Sequence, residues 1–387
     1  MEQLKRLRRL TLAKQGLLSK KVFSADITGT LSAIEHLGYV QIDTISVVER
    51  AHHHVLWSRV PNYIPAQLNT LIENRDIFEY WYHAASYLPM KDFRFALPHM
   101  NAIRRGEKTH FHSSDKKTMN EVISRVKAEG PVRARDMESK SNEKKGGWSI
   151  SNTHKRALEA LFIRGDLMIC KRNGMEKVYD LTERCLPSGI NTQEPTVDEY
   201  AEYILETTIR AHGVFDWKQL MHLKTGKPLK EAMQQGLNDR LQSGVVKKIV
   251  LDDSNELYVD SVAYEQPLAF DSAIRILSPF DNLVIHRDRL NSLFNFDYKI
   301  ECYVTPSKRK YGYFCLPILY NETLIGRIDC KAHRSQRRFE VVGLFLENHQ
   351  FERDEFYSTL IDELQKFADF NECPELDKKV VDNVLKH

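Results

Sequence analysis

Between residues 119 and 181 three helical stretches are followed by a two-stranded one, and this order restricts the fold more than any other feature of the chain. Residues 119–130 read as an amphipathic helix stopped by Gly130, and residues 131–137 read as a short second helix start. A third helix, capped near Ser151, runs to Gly165, and residues 167–181 read as a hairpin turning at Asn173-Gly174. Helix, helix, helix and hairpin is the order of a winged helix. Its third helix carries Asn152, His154, Lys155 and Arg156 near its start, where a helix-turn-helix recognition helix meets DNA. The hairpin carries Lys171, Arg172 and Lys177 as a wing. Winged helices also serve as protein-interaction modules, so the pattern alone does not establish DNA binding.

The same order returns in residues 199–210, 216–221 and 229–243, followed by strands at 245–251 and 256–259 across the turn 252–255. Helices at 2–14 and 29–37 suggest a further copy and an internal repeat. From residue 264 the pattern changes to short strands at 273–277, 298–304, 311–320, 323–330 and 338–345, as in a small antiparallel sheet or open barrel. Lys308, Arg309 and Lys310 form a basic hairpin tip between two of these strands, suited to a phosphate backbone or groove, although any solvated tip uses such residues. Residues 351–370 form an acidic amphipathic helix, and the tail beyond is expected to fray. The expected class is α+β: tandem winged-helix domains, then a small antiparallel β-domain and a C-terminal helix. The boundaries fall at 1–100, 101–190, 191–263, 264–350 and 351–387.

A chain of 387 residues suggests two to four domains, and its 42% hydrophobic content is that of a globular protein able to bury a core. No apolar run approaches the roughly 18 residues a membrane span needs, and the N-terminus lacks a signal-peptide core, so a cytoplasmic protein without membrane contact is expected. The cysteines Cys170, Cys185, Cys302, Cys315, Cys330 and Cys373 have no zinc-like spacing, and no metal or other cofactor is expected. Residues 101–190 hold 19 Lys and Arg against 12 Asp and Glu, a balance of +7, whereas residues 340–387 hold 5 against 12, or −7. A basic middle and an acidic end fit a protein that meets a polyanion with one face, although such excesses also solvate ordinary helices.

The densest chemistry lies in residues 41–61. Gln41 and Asp43 interrupt an apolar run of Leu37, Tyr39, Val40, Ile42 and Ile45 that reads as a short strand. Alternation would put both polar side chains on one face, roughly 7 Å apart at Cα, a pair that can hold one water. His52, His53 and His54 follow, then Trp57, Ser58 and Arg59. Adjacent histidines point different ways and rarely share a metal, so contact with a phosphate or another ligand, or local capping, is the better reading. Trp57 stacks on a base or fills the core. Arg59 binds phosphate or braces Asp43 or Glu49; the residues leave both open.

These motifs, with residues 277–283 (Leu-Ser-Pro-Phe-Asp-Asn-Leu), 308–313 (Lys-Arg-Lys-Tyr-Gly-Tyr) and 326–332 (Gly-Arg-Ile-Asp-Cys-Lys-Ala), resemble the bacterial winged-helix DNA glycosylases typified by YcaQ and AlkZ over nearly the whole chain. The resemblance implies a C-shaped assembly of tandem winged helices and a β-domain cradling duplex DNA around a Gln-x-Asp or Gln-x-Gln site. Asp43 at the second position matches the YcaQ branch, of broader substrate range. The implied activity is base excision repair of alkylation damage: hydrolysis of the N-glycosidic bond of N-alkylated purines and unhooking of interstrand crosslinks, by a monomer acting on double-stranded DNA. Asp43 would activate water and Gln41 would orient it. A cationic alkylated base is already a good leaving group, which leaves the oxocarbenium-like sugar and the water to the enzyme. No lysine lies within residues 41–57 to form a Schiff base, which favours a monofunctional hydrolase. A crosslinked base cannot swing freely into a snug pocket, so an open groove beside Asp43 is expected. A winged-helix transcription regulator is the alternative, but gives Gln41 and Asp43 no task; a protein-assembly scaffold is a third reading, which predicts weak, salt-insensitive DNA affinity.

Overall fold

The structure, a computed structural model, describes residues 2–19, 22–109, 114–137, 147–251 and 256–386, with backbone alone for 147–152. The side chain of Asn152 and the turn 252–255 therefore lie outside the described residues. The chain divides into two compact units, Met1–Ile64 with Ala201–His387, and Pro65–Tyr200.

In the unit Pro65–Tyr200, the helix Lys116–Glu129 starts at Asp115, whose side chain accepts the Thr118 N–H, and buries Met119, Val122 and Val126. The short second helix expected at 131–137 is instead a strand, Val132–Arg133, and a 3-10 turn, Ala134–Met137. Asp136 explains the difference: its carboxylate accepts the Arg133 N–H and pairs with the Arg133 guanidinium, closing a turn too tight for an α-helix. The third helix, Gly147–Ile163, begins before Ser151. Strands Leu167–Asn173 and Glu176–Leu181 form the hairpin. Asn173 faces Glu176, so the turn is Gly174-Met175, one residue later than expected, with Gly174 at φ 60° where a Cβ would strain the backbone. These strands and Val132–Arg133 make a three-stranded sheet with Glu176–Leu181 in the middle.

In the other unit the helices Glu2–Lys14 and Ile27–Leu37 fall where periodicity puts them. Helices Val197–His212, Trp217–Leu220 and Lys227–Gln242 precede strands Val246–Val250 and Glu256–Asp260, which form a sheet with Val214–Phe215. A five-stranded sheet follows, in the order Ile274–Ile276, Leu316–Tyr320, Thr323–His333, Arg338–Leu346, Glu375–Asp377. The first four strands pair antiparallel and the last pairs parallel, a departure from the wholly antiparallel sheet expected. The helix Arg353–Phe370 packs Phe356, Leu360, Leu364 and Phe367, all fully buried at helical spacing, into the core of this sheet.

Two expectations fail here. Residues 298–304 form no strand, because side chains rather than a ladder hold them. The Tyr298 hydroxyl donates to the Cys315 carbonyl at 2.7 Å, and the Glu301 carboxylate accepts the N–H groups of Lys310, Tyr311 and Gly312 at 2.9, 2.8 and 3.0 Å. Lys308, Arg309 and Lys310 thus lie in a braced loop with a 3-10 turn, Pro306–Lys308, and not at a hairpin tip. Nor does the tail fray. Glu375–Asp377 joins the sheet, and the helix Lys379–Leu385 buries Val381 and Leu385 in its core. No helix among the described residues is long and apolar enough to cross a membrane.

Candidate active site

Asp26 caps the helix Ile27–Leu37 by accepting the Gly29 N–H at 2.8 Å, worth about 1 kcal/mol. Gly38 ends it in the left-handed region at φ 79°. A Cβ on Gly38 would lie 2.4 Å from the Thr207 methyl, so both backbone angle and space demand glycine. The chain then enters Tyr39, Val40 and Gln41, all buried, and the Asn282 side chain donates to the Tyr39 carbonyl at 3.1 Å. The strand is only Val40–Gln41. Asp43 lies beyond it, half-buried, with Oδ1 accepting the Ile45 N–H at 2.7 Å. The strand stops at Gln41, and two residues beyond its end this Asx turn holds the carboxylate.

Desolvation raises the Asp43 pKa above the usual carboxylate range, and the Ile45 N–H partly opposes it. Among the described residues Asp43 forms no ion pair, so its charge is offset by one backbone dipole and solvent. Beyond it the chain is pinned to the five-stranded sheet: Ala332 N–H donates to the Val47 carbonyl at 2.9 Å and Arg334 to the Ser46 carbonyl at 2.8 Å. Val48 enters the sheet core, with Ile45 and Val47 packed beside it.

The helix Ala51–Trp57 turns its residues inward. His54 is fully buried, with Nε2–H donating to the Ile276 carbonyl at 2.9 Å and its ring 4.5 Å from that of Phe367. Burial holds its pKa down to about 4. His53 Nδ1 meets the Tyr63 hydroxyl at 2.7 Å, and burial takes its pKa to about 3, so both rings are neutral at pH 7. His52 is buried with its ring 4.3 Å from that of His53. Trp57 packs on Phe367 and Phe370 at 5.1 and 5.4 Å. Arg59 is fully buried and pairs with neither Asp43 nor Glu49. Its guanidinium meets the Asp281 carboxylate in a two-pronged pair at 2.6 and 2.8 Å, and Nε donates to the Gln15 carbonyl at 2.8 Å. His52, His54 and Arg59 therefore present no surface on which DNA could lie in this conformation, contrary to their expected role. His53 and Trp57 face protein partners.

Of the other basic residues, Lys308 and Lys310 are exposed and Arg309 is partly so, its Nε donating to the Val304 carbonyl at 2.9 Å. Lys155 and Arg156 are exposed on the helix Gly147–Ile163, in the unit Pro65–Tyr200. Lys171 is exposed and paired with Glu73 at 2.9 Å. Arg172 is a correction: it is buried, Nη2 lying 2.6 Å from Glu79, and cannot act as a wing contact. The hairpin alternation that put Lys171 outward necessarily turned Arg172 inward, onto a buried carboxylate.

Three residues without an assigned role now have one. Asp281 neutralises Arg59, Asn282 pins the strand that leads to Asp43, and Glu301 braces the 301–312 loop. Asp281 and Asn282 stand between apolar Phe280 and Leu283, the same polar-in-apolar signature that marked Gln41 and Asp43. Glu301 had no comparable signal. Among the described residues no group of three or more His, Cys, Asp or Glu could hold a metal.

A solved structure of Streptomyces sahachiroi DNA glycosylase AlkZ is similar to this chain at a TM-score of 0.63, with 13% sequence identity, over 96% of this chain and 97% of that one. At that identity the likeness is one of fold. The family model described as DNA glycosylase AlkZ-like matches residues 34–370, from within the helix Ile27–Leu37 to the end of Arg353–Phe370. That span includes Gln41 and Asp43, the buried helix behind them and the braced loop, and the chain accordingly belongs to the AlkZ-like DNA glycosylase family, whose members hydrolyse N-glycosyl bonds in DNA.

Proposed function

We propose that this DNA glycosylase releases N-alkylated purines such as N7-alkylguanine from double-stranded DNA, and unhooks interstrand crosslinks made through such bases. It does so as a cytoplasmic monomer with winged-helix modules on the DNA. Asp43 is its catalytic carboxylate and Gln41 positions the water. The observation that carries this reading is the state of Asp43: a carboxylate partly withdrawn from water, held by an Asx bond, with no cation beside it among the described residues. A structural aspartate in this chain looks different, since Asp281 is matched to Arg59 on both oxygens.

An N7-alkylated guanine carries positive charge, so the glycosidic bond breaks toward a neutral base without protonation. Positive charge then grows at C1′. A desolvated carboxylate stabilises it more strongly than one in bulk water, and the same carboxylate takes a proton from the incoming water. The raised pKa makes Asp43 a better base than an aspartate in bulk water. Gln41 is 8% exposed and does not titrate, so it can orient water through its amide over the whole pH range.

The test is a gel assay on a duplex containing N7-methylguanine, then on a nitrogen-mustard crosslink, each developed with mild alkali to reveal abasic sites. Strand scission that disappears in Asp43→Asn, with duplex binding retained, is the expected result. Unchanged turnover in that variant removes Asp43 from the mechanism. Release of N7-methylguanine with intact crosslinks would limit the substrate to single-strand lesions.

A further inference from the structure

Tyr303 is 80% exposed, more than any other large hydrophobic side chain among the described residues. Slackness of the loop does not explain it. The Val304 N–H donates to the Glu301 carbonyl at 2.9 Å, closing a turn with Cys302 and Tyr303 at its corner. The Glu301 carboxylate ties this turn to the backbone of Lys310, Tyr311 and Gly312. Arg309 closes the other side, donating to the Val304 carbonyl with its guanidinium carbon 4.9 Å from the Tyr313 ring centre. Cys302 and Ile300 anchor the turn in the core of the five-stranded sheet, the same core that receives Ile45, Val47 and Val48 beyond Asp43. Desolvation is the main cause that raises the pKa of both Cys302 and Tyr303, and the Asp43 charge reaches both and adds to it. A rigid turn therefore holds an unburied aromatic ring out to solvent within the field of the candidate catalytic carboxylate. Single exposed aromatic rings are ordinary on protein surfaces; what sets this one apart is that a braced turn holds it near the candidate catalytic carboxylate, with its electron-rich face open to a ligand.

We propose that the target nucleobase packs against the ring of Tyr303, and that the ring selects the cationic form of an N-alkylated purine over neutral bases through a cation–π contact. This rests on the glycosylase reading of Asp43 and adds a determinant of substrate class. The electron-rich face of a phenol attracts a delocalised cation, whereas a neutral purine gains only stacking. Base and sugar would thus be read by two groups, the ring at the charge that leaves and the carboxylate at the charge that forms.

The experiment compares wild type, Tyr303→Phe and Tyr303→Leu in the full chain. The ligands are a duplex bearing 2′-fluoro-stabilised N7-methylguanine, which is cationic, and one bearing 7-methyl-7-deazaguanine, its neutral counterpart. Base release from ordinary N7-methylguanine is measured in parallel. Wild type should bind the cationic duplex more tightly. Tyr303→Leu should shrink the ratio of the two affinities by about twofold to thirtyfold and slow base release, and Tyr303→Phe should retain both. The side chain is solvent-exposed, so its replacement leaves the fold intact. An active wild type with an unchanged ratio in Tyr303→Leu overturns the role of Tyr303 alone. Equal loss of both affinities also overturns it, because stacking without charge selection would then account for the ring. A wild type that releases no N7-methylguanine overturns the substrate reading itself.

Discussion

Asp43 and Arg59 belong to one polar-rich segment, and the fold uses them in opposite ways. Asp43 stops half-way out of the core with one backbone donor and a raised pKa. Arg59 is sealed in the interior against Asp281, with the Gln15 and Val55 carbonyls taking further N–H groups. The contrast shows that residue type does not separate chemistry from scaffolding. An ionisable side chain whose charge is matched and whose donors are all taken is structure, whereas one left desolvated and unmatched is available to a ligand. His54 and Arg172 fall on the same side as Arg59, each closed by a fixed partner.

The largest effect that would break this comparison lies at Asp43. Asp43→Asn should lower single-turnover base release about 10²-fold to 10⁴-fold. It should leave thermal stability equal or slightly higher. The folded-state pKa is raised, so above it the unfolded chain accommodates the charge better, and removing the charge favours the fold at neutral pH. For the same reason wild-type activity should fall on the acid side, as pH drops through a value above the ordinary carboxylate range. A large fall in melting temperature would make Asp43 a structural residue like Asp281.

Arg59→Ala should show the inverse pattern, with about 3–5 kcal/mol lost from unfolding stability because Asp281 is left as a buried, unpaired charge. In the protein that remains folded, the salt dependence of duplex binding should be unchanged; a reduced slope would mean that Arg59 meets phosphate after all. A smaller effect separates the histidines from the chemistry. Burial depresses His53 and His54 to about 3 and about 4. Between the unfolded value near 6.5 and those values the unfolded state binds more protons, so stability is lost as pH falls through this window. The slope grows toward a limit of about 1.4 kcal/mol per pH unit for each ring as pH falls below the unfolded value, and the loss is measurable by urea unfolding between pH 7 and pH 5. Flat stability over that range would mean the rings are not sealed. The smallest change is expected at the braced loop, where replacing exposed Lys308 and Lys310 by alanine should reduce the salt slope of duplex binding by about one for each phosphate no longer neutralised. No change in the slope would place the loop away from the DNA.

Much of the fold was legible because its signals are local. Apolar spacing at 116–129, 227–242 and 353–370, glycines at the stops and Gly174 in its turn each act over a few residues, and the elements fall close to where these put them. The family was legible too, in spaced motifs that the AlkZ-like match spans, and with it the regulator and scaffold readings give way to an enzyme. The failures lie where distant residues override local preference. Residues 298–304 alternate like a strand but are held by Glu301 and Cys315 partners in place of a ladder. The tail after Phe370 has little to bury by itself, yet finds an open sheet edge at Arg338–Glu340 and a core place for Val381.

Periodicity and turn chemistry were thus enough to order most of the elements, because each depends on neighbours a few bonds away, and the interrupted apolar run is what makes Gln41 and Asp43 the candidates that remain to be tested. Whether a charge is matched was decided in three dimensions: Arg59 meets Asp281, and Arg172 meets Glu79, across separations that no local pattern encodes. The exposure of Tyr303 belongs to the same class, since a tyrosine in a Cys-Tyr-Val run is written like a core residue. It faces solvent because Glu301 and Arg309 brace a turn around it.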